Sequence, residues 1–238
     1  MHSIDVANAA TGIVMSHGVM SNAGWLQRFA RALAVRGSAS IAVDRRGCGT
    51  ALSAEGRNDP KAWVADLVAA MDTMSARVQR VVLLGWCWGA RTAILAAKAR
   101  PPEHLVLMAP GLALTDRVKQ RIAEIRATSE DPTSLPFELD AFSDEQHVLD
   151  WIRSDELAWR TQPRAFLAPS AQVQTDAIVA LPTLTMPITT FLAATDHIVD
   201  NAAIRKLVRG PVIEVSGGHA LILETPDAIA DRLVAALG

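Results

Sequence analysis

Apolar residues fall along the chain in two alternating patterns. Short runs are apolar at nearly every position: Gly12–Met15, Ser40–Val43, Val81–Leu84, Leu105–Met108, Ile188–Leu192 and Val212–Val215. Continuous runs of this length are what parallel strands covered on both faces require. Between them the spacing becomes helical. Trp25, Phe29 and Leu33 recur every fourth residue, and so do Trp63, Leu67 and Met71. Asp59-Pro60 supplies an N-cap and a first-turn proline for the second of these helices, and Thr225-Pro226 is expected to do the same for a last helix with the face Ile229, Leu233 and Leu237. Strand and helix in strict alternation predict an α/β protein with a mostly parallel, doubly wound sheet.

From 112 to 181 the alternation stops. No convincing strand is seen there. Helical segments are expected around Val118–Arg126, Asp144–Ile152 and Arg164–Val173, interrupted by Pro132 and Pro136. The chain thus divides into a core of residues 1–111 and 182–238 and a helical cap insertion of residues 112–181. The cap is expected over the carboxyl ends of the strands, where open α/β sheets bind their ligands.

Composition narrows the function. The chain has 238 residues, half of them apolar, enough for a large core. Its 23 basic and 25 acidic residues nearly cancel, which argues against a nucleic-acid partner. Only two cysteines, Cys48 and Cys87, exclude a disulfide-stapled scaffold. No apolar run is long enough to span a membrane. Met1–Ala10 lacks the basic and apolar regions of a signal peptide, so a cytoplasmic location is expected. Tyrosine is absent, so no phenol can act as acid or base. Neither metal-ligand spacing nor a phosphate-binding glycine motif occurs, and no metal or cofactor is expected.

The densest signal is Val81–Leu84 followed by Gly85-Trp86-Cys87-Trp88-Gly89 and a helix of small residues. A sharp strand-to-helix turn strains its central residue and needs glycine two positions to either side, so that strand and helix can approach. The central side chain is then displayed at the sheet's tip and at a helix N-terminus, which favours a thiolate. Cys87 is the expected nucleophile.

These residues resemble the elbow of α/β-hydrolases, and the chain resembles the monoacylglycerol-lipase and serine-aminopeptidase type over nearly its whole length. Met15-Ser16-His17-Gly18-Val19-Met20 is similar to that family's oxyanion segment, and Asp44-Arg45-Arg46-Gly47-Cys48-Gly49 to its Asp-x-Arg-Gly-x-Gly loop. Ala109–Leu112 is similar to the exit into the cap, Ala194–Asp200 to the acid loop, and Gly217-Gly218-His219 to the histidine loop. The resemblance implies His219 as general base and acid and Asp196 as its orienting carboxylate, with Asp200 the competing choice but better read as an N-cap. It implies an oxyanion hole from the backbone N–H groups of Val19 and Trp88. His17 is expected to orient the oxyanion loop, His197 to lie beside the acid, and Cys48 to be structural. The family usually carries one or two more strands before Gly12, so the sheet is expected to be trimmed there.

Most relatives carry serine where this chain has Cys87. A thioester intermediate is close in energy to an incoming thioester and retains drive toward amines and alcohols. The expected activity is therefore hydrolysis of a small acyl ester or thioester, carried free or on CoA or a carrier protein, through an acyl-cysteine. An acyltransferase or cyclase using the same intermediate is the alternative, and an inactive binding module a further one. Met20, Trp86, Trp151 and Phe142 are expected to line an apolar acyl pocket under the cap.

Overall fold

The computed structural model describes residues 1–238. Seven strands form one sheet: β1 (His2–Ile4), β2 (Thr11–Ser16), β3 (Ala39–Val43), β4 (Arg80–Trp86), β5 (His104–Met108), β8 (Ile188–Ala193) and β9 (Val212–Val215). Their order is β1-β3-β2-β4-β5-β8-β9. All pairs are parallel except β1 with β3. The six expected strands are all present, within a residue or two at their ends. At that edge one short strand precedes β2: β1 pairs antiparallel with β3, with His2 opposite Ala42 and Ile4 opposite Ser40. Three residues reading His-Ser-Ile carry no periodic signal of their own, and their pairing is decided by the edge of β3.

Helices α1 (Gln27–Val35), α2 (Pro60–Ser75), α3 (Gly89–Ala99), α7 (Asn201–Leu207), α8 (Leu221–Glu224) and α9 (Pro226–Leu237) complete the core. The α2 start behaves as its sequence dictates: Asp59 Oδ1 accepts from the Lys61 N–H at 2.9 Å, with Pro60 in the first turn. At α9 the proline is in place, but the Thr225 side chain makes no capping bond. Helix α3 is almost wholly buried, and its small residues let it lie directly on the sheet.

Between β5 and β8 lie α4 (Asp116–Ala127), α5 (Gln146–Ser154) and α6 (Leu167–Ala180). Two short strands, β6 (Thr133–Ser134) and β7 (Thr161–Gln162), pair antiparallel within this segment, where no strand was expected. The segment is bound to the core at several points. Asp155 Oδ2 accepts from Asn22 Nδ2 at 2.8 Å and from Trp25 Nε1 at 2.6 Å. The Trp159 N–H donates to Met20 O at 2.9 Å, and its indole to Gly47 O at 3.0 Å. No helix is long and apolar enough to cross a membrane.

The sheet order places the site. Strand β2 lies between β3 and β4, so the chain leaves β2 toward one side and returns on the other. At such a switch point the loops after adjacent strands part and leave a crevice. The loop after β2 begins at His17, and the turn after β4 carries Cys87.

Candidate active site

Cys87 adopts φ = 55°, the left-handed conformation that a sharp turn between strand and helix imposes. The flanking glycines serve close packing. A Cβ on Gly85 would lie 2.5 Å from the Ala90 Cα, and one on Gly89 would collide with the carbonyl oxygens of Ser16 and His17. Strand β4, helix α3 and the loop after β2 therefore meet here because two residues lack side chains.

His219 and Asp196 come to the same point from the ends of β9 and β8. The His219 Nδ1–H donates to Asp196 Oδ2 at 2.8 Å, and both side chains are fully buried. The other oxygen of Asp196 accepts from the N–H groups of Ile198 and Val199 at 2.9 and 2.8 Å, which fixes the carboxylate. Asp200 is used elsewhere: its Oδ1 accepts from the Ala203 N–H at 3.0 Å and caps α7. His197 is exposed and bonds through its backbone to Thr115.

The remaining ring nitrogen, His219 Nε2, is buried and makes no hydrogen bond of ordinary geometry in the resting site. Its electrostatic partner is Cys87. Burial opposes a charged imidazole, yet the Asp196 carboxylate and then the Cys87 sulfur hold the His219 pKa up, to about 10. Burial likewise opposes a thiolate, but the His219 charge outweighs it, helped by the Trp88 N–H and the charge of Arg91, and the Cys87 thiol is pulled below its ordinary value. Both directions favour a thiolate–imidazolium pair near neutral pH. The site can thus present a nucleophile and a proton donor together.

A dry wall encloses the histidine. Phe142 meets its ring edge-on at a centroid distance of 5.4 Å, and Trp86 lies 6.0 Å away, its indole donating to His219 O at 3.1 Å. Glu224 holds the loop itself, accepting from the Gly218 N–H at 3.0 Å and from the Ser143 hydroxyl at 2.5 Å.

On the other side of Cys87, the Arg45 N–H donates to His17 Nε2 at 3.0 Å, so Nδ1 carries the proton and donates to Gly18 O at 2.8 Å. Burial and then the Arg45 charge push the His17 pKa down to about 3, so the ring is neutral. Arg45 also donates to Gly18 O at 3.3 Å and to Val19 O at 2.8 Å, while its guanidinium lies 4.3 Å from the Trp88 ring centroid. The oxyanion segment is thus clamped through its carbonyls. Cys48 is buried and free, accepts from Arg45, and has its thiol pKa raised by burial.

A cavity of about 70 Å³ opens on Cys87. Val19, Trp88 and Arg91 line it from the core, Leu114, Val118, Ile122, Phe166 and Ser170 from the 112–181 segment, and Ile198 from the acid loop. The four residues expected to line an acyl pocket are not among them. Met20, Trp86 and Phe142 are fully buried in the core, and Trp151 packs on Trp25 at 5.6 Å. Trp86 and Phe142 instead form the aromatic support of the histidine, since Trp86 still belongs to β4, while Met20 is turned into the core.

Three polar residues of the site carry no motif. Arg91 has the best signal: it lies in the first turn of α3, the helix that follows the Cys87 turn, and lines the same cavity as Cys87. Arg45 and Ser170 reach the site only through tertiary packing.

A search of curated protein sequences gives no match. Among solved structures, the chain is similar to a monoacylglycerol lipase of Paleococcus ferrophilus, with a TM-score of 0.81 and 16% identity over 100% of this chain and 98% of that one. It is similar to a soluble variant of monoglyceride lipase from Saccharomyces cerevisiae, with a TM-score of 0.82 and 12% identity over 98% and 87%. A third likeness is to a structure described under the metagenome-derived lipolytic enzymes LipS and LipT, with a TM-score of 0.78 and 18% identity over 98% and 96%. At these identities the likeness establishes the α/β-hydrolase fold. The family model for serine aminopeptidase, S33, matches residues 7–212. With most of its length matched and the fold shared, the chain belongs to the serine aminopeptidase S33 family of α/β-hydrolases.

Proposed function

We propose that this hydrolase cleaves a short acyl ester or thioester through a covalent acyl-cysteine on Cys87. The observation that carries the reading is the buried His219–Asp196 hydrogen bond of 2.8 Å beside a cysteine strained into the elbow conformation. The Cys87 thiolate attacks the acyl carbonyl carbon and a C–S bond forms. The developing oxyanion is taken up by the Trp88 N–H and by the N–H of Val19. As the intermediate collapses, the bond to the leaving alcohol or thiol breaks and His219 supplies its proton. Water then gives a proton to His219 and attacks the thioester. The C–S bond breaks, the acid leaves, and the thiolate–imidazolium pair is restored. Asp196 keeps the Nδ1–H tautomer throughout.

Residues 112–181 act as the cap, since they contribute most of the cavity's apolar lining. The small volume favours short acyl groups over long chains. The test is intact-mass analysis during turnover of p-nitrophenyl esters and simple thioesters. One acyl group should accumulate on the wild-type chain and none on Cys87→Ala, which should also lose turnover. Full turnover by Cys87→Ala would overturn the reading.

A further inference from the structure

Arg91 is the one charged side chain of the cavity that lies deep beside Cys87, and its residue is only 6% exposed. Its Nε donates to Gly111 O at 2.8 Å, and Nη1 donates to the carbonyl and hydroxyl of Ser170, both at 3.2 Å. All of these acceptors are neutral. No carboxylate forms an ion pair with it, and the second terminal nitrogen makes no hydrogen bond to the protein. A buried guanidinium without an anion is costly, and such groups are ordinarily paired. The anion nearest in charge terms is the Cys87 thiolate, which is consumed whenever the cysteine is acylated.

We propose, resting on the ester or thioester reading, that the acyl group of the substrate carries its own carboxylate, which enters the cavity and pairs with Arg91. The substrate class is thus a monoester or monothioester of a short dicarboxylic acid. The spacing suits this. Arg91 lies in the first turn of α3, just after the Cys87 turn, and both residues line the same cavity. Much of the lining is apolar (Leu114, Val118 and Phe166), beside the polar Gln162, Ser170 and Gln174 and the exposed Arg126; the apolar part strengthens a charge-assisted pair and accommodates a few methylenes. Burial pulls the Arg91 pKa down to about 10, with the charge of Arg45 adding to it, so the group stays cationic at neutral pH.

The test compares two chromogenic esters matched in chain length and leaving group, mono-p-nitrophenyl glutarate and p-nitrophenyl pentanoate. The wild type should favour the glutarate by about tenfold or more in kcat/KM, the scale of one charge-assisted hydrogen bond. Arg91→Met should abolish that ratio, and Arg91→Lys should restore part of it. The wild-type ratio needs no variant, so it stands even if Arg91→Met folds poorly. An Arg91 that served only the thiolate would lower both esters by one factor and leave the ratio unchanged, which overturns the proposal. If neither ester acylates Cys87, the proposed reaction fails while the Arg91 assignment is read separately. In that case calorimetric titration of glutarate into Cys87→Ala should show binding that is lost in the Arg91→Met double variant. Absent or Arg91-independent glutarate binding would then refute the assignment.

Discussion

At the scale of single residues the chemistry rests on two opposed shifts. The Cys87 pKa is lowered, so the thiolate persists as pH falls and is lost only below the lowered value. The His219 pKa is raised, so the imidazolium that would protonate the leaving group in the proposed reaction is lost only as pH climbs toward about 10. Turnover should therefore show a plateau around neutrality with an acid limb set by Cys87 and an alkaline limb set by His219. Iodoacetamide alkylation of Cys87 should have its midpoint below that of an ordinary thiol, and His219→Gln should move it upward. An unmoved midpoint would show that the pair is not coupled. The two aspartates separate by the same logic. Asp196→Asn leaves Nδ1 facing an amide that no longer fixes the tautomer, and kcat should fall by several orders of magnitude with little loss of stability. Asp200→Ala should instead cost about 1 kcal/mol of stability through the lost α7 cap and leave kcat nearly intact. Thermal melts beside kinetics on both variants check the assignment.

Whole elements show how much of the molecule can be read without coordinates. The elbow was legible because its causes are local: a buried strand, two glycines and a helix of small residues. Strand β1 was not, since three unpatterned residues are recruited by the free edge of β3. The helices of residues 112–181 were found roughly where expected, but their inward residues were not. Which side of α4 or α6 meets the cavity depends on how the segment is tied down by Asp155, Trp159 and Ser143, none of which forms a motif. That is also why Trp86 and Phe142 pack on the histidine, and Met20 and Trp151 on the core, rather than lining the cavity. The tightest junction gives the clearest forecast. In Gly89→Ala the added methyl would meet the carbonyl oxygens of Ser16 and His17, so β2 and α3 must separate. Overpacking of this kind costs about 1–3 kcal/mol. It should also displace the oxyanion segment, so kcat should fall further than stability predicts. A variant that melts normally and turns over normally would show that the junction is looser than described.

On the scale of the whole molecule, the question is whether the 112–181 segment is a separable lid or part of one cooperative unit. Its bonds to the core are numerous and spread out. Asp155 reaches Asn22 and Trp25, Trp159 reaches Met20 and Gly47, Ser143 reaches Glu224, and Ser170 reaches Trp88 and Arg91. Helix α6 also packs on α3. The tryptophans join the two parts as well, with Trp151 at 5.6 Å from Trp25 and with Trp63 and Trp88 both packed against Phe166. A segment attached in this way cannot melt without exposing the aromatic support behind His219. Unfolding in urea should therefore be a single transition, with tryptophan fluorescence and far-ultraviolet circular dichroism giving one midpoint. Asp155→Ala removes the acceptor from both Asn22 and Trp25 and leaves two buried donors unpaired, a loss of about 1–3 kcal/mol. That loss falls on the junction between residues 112–181 and the core. The fluorescence transition of the variant should then come earlier than the dichroism transition, and activity should follow fluorescence, because residues of that segment line the cavity at Cys87. Coincident transitions in Asp155→Ala would instead mean that the remaining bonds suffice to keep the two parts one unit.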